Sequence, residues 1–273
     1  MTDLAVIMSI YKKDKLNFVK ESVQSILSQT FTQFHYYLIF DGPVSADIEE
    51  YFSDIQDQRL RLFRSQANMG LATALNKLLG EVLKNPEYKF IARMDADDVS
   101  MPERLRLQRD FLIMNSDISC VGSWYWEIDE DGKQLFERKL PTGSEELRNY
   151  YFKRAPFAHP SVIYRRELIE IAGFYPVDTI LLEDNVLWGN ALRQGLKFAN
   201  LPQFLIQFRI DKNFFRRRSG IKYGWNYIIS RFKINKKLNS QPGTYLYSLF
   251  SGTIRMLPSF IFRFIYIKGR NKY

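Results

Sequence analysis

The chain has 273 residues, 46% of them hydrophobic, which is enough apolar side chain for a sizeable core and excludes a disordered chain. Its single cysteine, Cys120, excludes an internal disulfide and fits a reducing, cytoplasmic compartment; two histidines, His35 and His159, are too few for a His-rich zinc site. The net charge of +9 is unevenly spread: residues 212–273 carry 14 Lys and Arg and no acid, whereas residues 1–211 carry 25 against 30 Asp and Glu.

The first apolar run, Leu4 to Ile10, has no basic residue before it and Lys12, Lys13 and Lys15 after it, so it lacks the layout of a secretion signal and reads as a buried strand. An amphipathic stretch follows from Lys15 to Gln29. The alternation continues with Tyr36 to Phe40, Ala46 to Phe52, Leu60 to Phe63, Leu71 to Leu83 and Tyr88 to Met94. Strands and helices in such alternation predict a mostly parallel α/β sheet covered on both faces, and the first hundred residues read as a nucleotide-binding half. Pro102 opens a helix that runs to Met114, and Ile118 to Ile128 reads as a strand. Asp131-Gly132 makes a hairpin turn before Leu135 to Leu140, and a helix covers Glu145 to Phe152. A short strand, Ser161 to Tyr164, precedes a helix from Arg165 to Ala172 that Gly173 stops. A further helix opens at Glu183-Asp184, runs to Arg193 and ends at Gly195.

In such a sheet, ligands bind beyond the carboxyl ends of the strands. Those ends present Tyr11, Asp41-Gly42 and Asp95-Ala96-Asp97-Asp98. Three carboxylates at one strand end repel one another, so the cluster points to a bound cation; Mg²⁺ and Mn²⁺ take oxygen ligands, often carboxylates together with substrate phosphates. Asp41 is placed to accept hydrogen bonds from a nucleobase or ribose, and it equally suits an Asp-Gly turn. Asn68-Met69-Gly70 leads into a helix without a P-loop pattern, and Gly70 permits close backbone approach at the crevice. Glu183 and Asp184 lie in a first helical turn, where the dipole stabilises negative charge; a carboxylate there either caps the helix or accepts the proton of an attacking hydroxyl. His159, between Ala158 and Pro160, reads as structural, and Cys120 as a buried, inert thiol.

Taken together, several segments resemble glycosyltransferase family 2, the GT-A fold enzymes, in family order over about residues 3–210. They are Val6-Ile7-Met8-Ser9-Ile10-Tyr11, Ser22 to Phe31, Phe40-Asp41-Gly42, Asn68 with Gly70, and Asp95-Ala96-Asp97-Asp98. Pro102-Glu103-Arg104-Leu105, His159-Pro160-Ser161 and Glu183-Asp184 with Leu187-Trp188 complete the set. The resemblance implies a hexosyltransferase-type enzyme that moves one sugar from a nucleotide diphosphate donor, a UDP-sugar first among them, to a glycan or lipid-linked acceptor with inversion. It makes Asp41 the base contact, with Tyr11, Asn68 and Gly70 around the nucleotide. Asp95 becomes the ribose and nucleotide contact beside the metal, Asp97 the main ligand of Mn²⁺ or Mg²⁺, and Asp184 the catalytic base with Glu183 as its neighbour. Ser9 stands where many members have Pro, and Phe40 where many have a first Asp. No Arg-Trp pair occurs, so the Gln-x-x-Arg-Trp motif of the processive branch is missing and single-sugar addition is favoured. Similar sequences are typical of capsule, exopolysaccharide and lipopolysaccharide assembly. The rival readings are a nucleotidyltransferase and an inactive membrane-bound assembly partner.

The expected organisation is a GT-A domain over residues 1–211, with a nucleotide-sugar half at 1–100 and an acceptor half at 101–211, followed by a basic, aromatic-rich extension at 212–273. Tyr245 to Ile267 is long enough to cross a bilayer, but Arg255 and Arg263 would each cost roughly 2.5–3.5 kcal/mol near its middle and Pro258 interrupts it. A helix pair lying on the anionic, cytoplasmic face of the cell membrane is the expectation, a peripheral attachment beside a lipid-linked acceptor. The large aliphatics of Leu246 to Ile267 argue against nucleic acid, and packing on the catalytic domain or a second subunit is the remaining reading.

Overall fold

Short apolar runs separated by amphipathic stretches assemble, in a computed structural model that describes residues 2–179 and 181–270, into a nine-stranded mixed sheet flanked by helices. In chain order, the first half is β1 (Leu4–Ile10), α1 (Leu16–Leu27), β2 (Phe34–Phe40), α2 (Ala46–Ser53), β3 (Leu60–Arg64), α3 (Leu71–Leu83) and β4 (Phe90–Arg93). Its strands pair in parallel in the order β3-β2-β1-β4, as the alternation predicts. The fully covered β1 explains why the signal is a continuous apolar run: Leu4, Val6, Met8 and Ile10 enter the core on the side of α1, α2 and α4 (Arg104–Met114), while Ala5 and Ile7 enter the core on the side of α3.

The second half is mixed. It comprises β5 (Val99–Ser100), α4, β6 (Ile118–Ile128), β7 (Gln134–Arg138), α5 (Ser144–Tyr151), β8 (Ile163–Arg165), α6 (Arg166–Ala172), α7 (Glu183–Arg193) and β9 (Lys197–Arg209). β8 runs antiparallel between β4 and β6, β9 lies parallel to β6, and β7 folds back on β6 beyond the Asp131-Gly132 turn. The long β9 carries no clear alternation because Pro202 and Gln203 interrupt it. The register against β6 shifts around Ser123 to Tyr125, which accommodates the proline, whose nitrogen cannot donate to the ladder.

Between β2 and α2 the chain turns at Gly42 with φ of +83°, and a Cβ there would lie 2.6 Å from the amide nitrogen of Asn68. Only glycine lets these two loops touch.

The C-terminal arm forms α8 (Phe214–Arg217), α9 (Ile221–Lys237), α10 (Pro242–Met256) and α11 (Ser259–Arg270). It packs on the sheet domain: Ile234 of α9 and Leu238 just after it enter the core beside Leu187 and Trp188, and the buried Arg231 donates from Nη2 to the Tyr151 carbonyl. α9 and α10 cross at two glycines, where a Cβ on Gly224 would meet the Gly252 carbonyl oxygen at 2.7 Å. Ile210, Phe214, Phe215 and Phe262 form a separate apolar cluster joining α8 to α11. Among the described residues no helix is long and apolar enough to cross a membrane. The outer faces of α10 and α11 leave Leu246, Phe250, Phe260 and Phe264 exposed.

Candidate active site

Tyr11, Asp41, Asn68, Gly70, Asp95, Asp97, Glu183 and Asp184, all singled out from the sequence, line one cavity of about 1080 Å³ at the carboxyl ends of β1, β2 and β4. The arm closes its far side with residues from α8 to α11.

The strand-end side of the cavity is built on Asp41. Its buried carboxylate accepts from Asn68 Nδ2 at 3.1 Å, Met69 N–H at 2.6 Å and Gly70 N–H at 2.9 Å, while its carbonyl accepts from the same Asn68 amide at 3.2 Å. These contacts are those of the turn reading: Asp41 shapes the 68–70 loop, and it does so at the cavity wall.

The acidic loop after β4 is held from several directions. Ser22 Oγ donates to the Asp95 carbonyl at 2.6 Å, and Gln29 Nε2 donates to Ser100 Oγ at 3.1 Å and to the Met101 carbonyl at 2.7 Å. Arg104, fully buried, donates from Nη2 to the Arg93 carbonyl at 2.8 Å. The Ser22 to Phe31 and Pro102 to Leu105 segments therefore brace the loop. Arg209, at the end of β9, clasps it from the other half: its N–H donates to Asp98 Oδ1 at 2.7 Å, its Nε to the Asp97 carbonyl at 2.8 Å, and its Nη2 pairs with Glu21.

Asp95, Asp97 and Asp98 each offer a carboxylate oxygen, and these oxygens lie within 4.8 Å of one another. Asp98 Oδ2 is buried with no hydrogen-bond partner among the described residues. Burial, then repulsion from Asp95, pushes the Asp97 carboxyl up to about 6; burial and both neighbours raise Asp98 well above its ordinary range. An all-oxygen set that resists ionising without a cation fits a hard divalent ion such as Mg²⁺ or Mn²⁺.

Three charged groups at this end have no counterpart among the residues picked from the sequence. Arg93, fully buried on β4, pairs with Asp95, and its charge also favours ionised Glu183 and Asp184. A lone arginine inside the apolar run Tyr88 to Met94 was the available signal. Asp14, hidden in sequence among Lys12, Lys13 and Lys15, is pushed up to about 8 by burial and by Asp97 and Asp95, and its Oδ2 accepts from the Tyr11 N–H at 2.8 Å. Arg217, paired with Asp211 at 3.0 Å, lowers both Asp14 and Asp97.

Across the cavity, Glu183 and Asp184 occupy the first turn of α7. Burial, then the Asp184 charge, pushes the Glu183 carboxyl up to about 7. Burial also raises Asp184, whose Oδ1 accepts from Asn185 Nδ2 at 3.1 Å. His159 lies in the wall with Nε2 3.0 Å from the Tyr175 hydroxyl, and burial holds its pKa well below the ordinary value, so it is neutral near pH 7. Cys120 is buried, with its thiol pushed far up.

Carboxyls whose folded-state pKa is raised destabilise the fold once ionised. Glu183 at about 7 and Asp14 at about 8 therefore predict that the thermal midpoint of the cation-free protein falls as pH rises from about 6.5 to about 8.5. Below that window His35 and His159, both lowered, act with the opposite sign. Added Mn²⁺ should flatten the fall; differential scanning fluorimetry across the window checks it, and a rising midpoint contradicts the assignment.

Residues 5–173 match the sequence profile of the family described as Glycosyl transferase family 2. The chain is 29% identical over 272 residues to the amylovoran biosynthesis glycosyltransferase AmsE of Erwinia amylovora, covering 97% of this chain and 98% of that one. It is 28% identical over 268 residues to the UDP-Gal:alpha-D-GlcNAc-diphosphoundecaprenol beta-1,3-galactosyltransferase of Escherichia coli, covering 97% and 95%. Among solved structures, S. aureus TarS 1-349 in complex with UDP-GlcNAc superposes with a TM-score of 0.58 at 15% identity, over 94% of this chain and 82% of that one. The mannosyltransferase PcManGT from Pyrobaculum calidifontis, in complex with GDP-Man and Mn2+, gives 0.58 at 14% identity, over 96% and 72%. At these identities the structural likeness shows the fold, the GT-A arrangement.

Proposed function

This chain belongs to glycosyltransferase family 2, and from that membership we propose that it adds a single sugar, with inversion, from a UDP-sugar to a glycan or lipid-linked oligosaccharide in surface polysaccharide assembly, of the capsule or lipopolysaccharide type. One observation carries the reading: the strand-end nucleotide residues, the acidic loop and the Glu183-Asp184 pair face a single cavity. The near full-length likeness to AmsE and to the diphosphoundecaprenol-dependent galactosyltransferase supports the substrate class.

In this mechanism the Asp41-braced loop of Asn68 and Gly70 receives the nucleoside with Tyr11 and Asp95. Asp97 and Asp95, with Asp98 beside them, would hold Mn²⁺ or Mg²⁺, which would supply positive charge where a diphosphate departs. Asp184 accepts the proton of the acceptor hydroxyl, and its burial raises its basicity above that of an exposed carboxylate. Attack from the face opposite the leaving group inverts the anomeric carbon. Arg93 holds the Asp95 carboxylate in place through their ion pair. Incubation with a panel of uridine, guanosine and thymidine diphosphosugars tests the reading: release of nucleoside diphosphate is expected, whereas pyrophosphate from a nucleoside triphosphate would indicate a nucleotidyltransferase. No turnover with any donor and acceptor would favour an inactive assembly partner.

For the domains, residues 1–211 form the catalytic unit and residues 212–273 the extension that rests on the cytoplasmic face of the membrane. The exposed apolar side chains of α10 and α11, amid basic residues with no acid, support that placement. Deleting the arm would also strip Ile234 and Leu238 from the core, so point changes are the cleaner test. Phe260→Ser with Phe264→Ser is expected to weaken binding to anionic vesicles by about tenfold or more, read by co-sedimentation, with donor turnover in detergent retained. Raised salt should weaken the unaltered protein's binding as well. Equal sedimentation of the double variant would refute the attachment.

A further inference from the structure

We propose that the arm side of the cavity is a second anion site, in which Arg154, Arg218 and Arg255 hold the diphosphate of a lipid-linked acceptor. The inference deepens the transferase reading and rests on it for the direction from which the acceptor enters.

All three arginines line the cavity, from the loop after α5, the turn after α8 and the end of α10. None has a carboxylate partner among the described residues. Arg154 Nε donates to the Tyr247 hydroxyl at 2.9 Å, and Arg255 Nη1 donates to the Ser251 carbonyl at 2.9 Å and hydroxyl at 2.6 Å. Arg218 Nη1 is buried without a hydrogen-bond partner among the described residues. Glu127, also in the cavity wall, faces Arg138 at 3.7 Å and the Tyr266 hydroxyl at 2.8 Å. Cations gathered in a partly desolvated cavity on neutral partners leave a positive potential that an anion would satisfy.

Tyr227 lies beside these cations. Burial by itself would raise its phenol, yet Arg255, Arg231, a hydrogen bond with Ser251 and Arg154 hold it below the ordinary value. Arg255 stacks 4.2 Å from the Tyr227 ring centre, which fixes the guanidinium beside the cavity.

The site is on the base's side of the cavity. Arg217 acts on Asp97 and Asp14, at the donor end, whereas Arg218 acts on Asp184, and Tyr223 feels Arg255, Arg218 and Asp184 together. An acceptor reaching Asp184 from the arm would pass these arginines with its phosphates. Phe250 and Ile265 also line the cavity while remaining 65% and 36% exposed, so carboxylates, guanidinium groups and exposed apolar side chains share one cavity. A sugar, a diphosphate and a hydrocarbon chain call for these same three kinds of surface.

Farnesyl diphosphate is the probe, titrated by calorimetry into the full chain with and without UDP and Mn²⁺. Binding that persists with UDP present is expected, and Arg154→Gln with Arg255→Gln should weaken it about tenfold or more while UDP affinity stays unchanged. Arg154 is exposed, so Arg154→Gln alone preserves the fold if the double variant loses its thermal transition; it should still bind the probe several-fold more weakly. Displacement by UDP would assign the arginines to the donor and overturn the proposal, as would equal binding of farnesol, unchanged binding by the Gln variants or no binding by the unaltered protein. Arginine-dependent binding in a protein that turns over no nucleotide sugar would uphold this site and sink the transferase reading.

Discussion

Asp184→Asn should lower the rate of sugar transfer by about 10²–10⁴-fold, leaving the thermal midpoint and the donor KM close to their original values. The amide keeps the shape of the carboxylate and the room for Asn185 Nδ2, which now donates to Asp184 Oδ1 at 3.1 Å, so packing at the start of α7 is retained. What disappears is the only function assigned to the group, acceptance of a proton in the transition state. Glu183→Gln is the companion measurement: Glu183 is buried and held at about 7, near working pH, so its carboxyl is chemically able to serve. A larger loss in the Glu183 variant would transfer the role of base to that residue. Unchanged turnover in both would remove proton abstraction from α7 altogether.

Asp97→Asn is expected to reduce turnover by about 10³-fold and abolish the stabilisation given by Mn²⁺ with UDP in a thermal-shift assay. The variant should fold at least as well as the parent. Ionised Asp97 is disfavoured by burial and by Asp95, and a neutral amide removes that repulsion, so near pH 7 the thermal midpoint should hold or rise. Opposite movements of stability and activity separate a ligand-holding carboxylate from a structural one. A midpoint that drops together with the rate would mean that Asp97 props up the loop instead.

Much of the first half of the fold was legible because parallel strands covered on both faces must be apolar throughout, and helices between them must be amphipathic. The cavity residues were legible for a related reason: polar side chains immediately after such strands have nowhere to go but the crevice. β9 escaped because Pro202 breaks its pattern and a register shift on β6, invisible in sequence, repairs it. Asp14 escaped because three lysines around it make it look solvated, and only the folded chain places it against Asp97. Arg93 could be seen as an oddity in a buried run but not as the partner of Asp95. The basic arm was legible in part: its charge reads as a surface property, whereas packing on the catalytic domain, the other reading its sequence offers, is where Arg218, Arg231 and Arg255 go, into protein or cavity. Local patterns reveal periodicity and composition, whereas pairings over a hundred residues apart depend on topology.

The hold of Arg209 on Asp97 and Asp98 has a bearing on protein engineering. A chimera joined at residue 100, taking the first hundred residues from one parent and the remainder from another, would separate the acidic loop from the guanidinium that shapes it across more than a hundred positions of chain. Grafts meant to alter sugar choice should therefore carry position 209 and the partner glutamate at 21 along with the transplanted loop, or exchange all of them together.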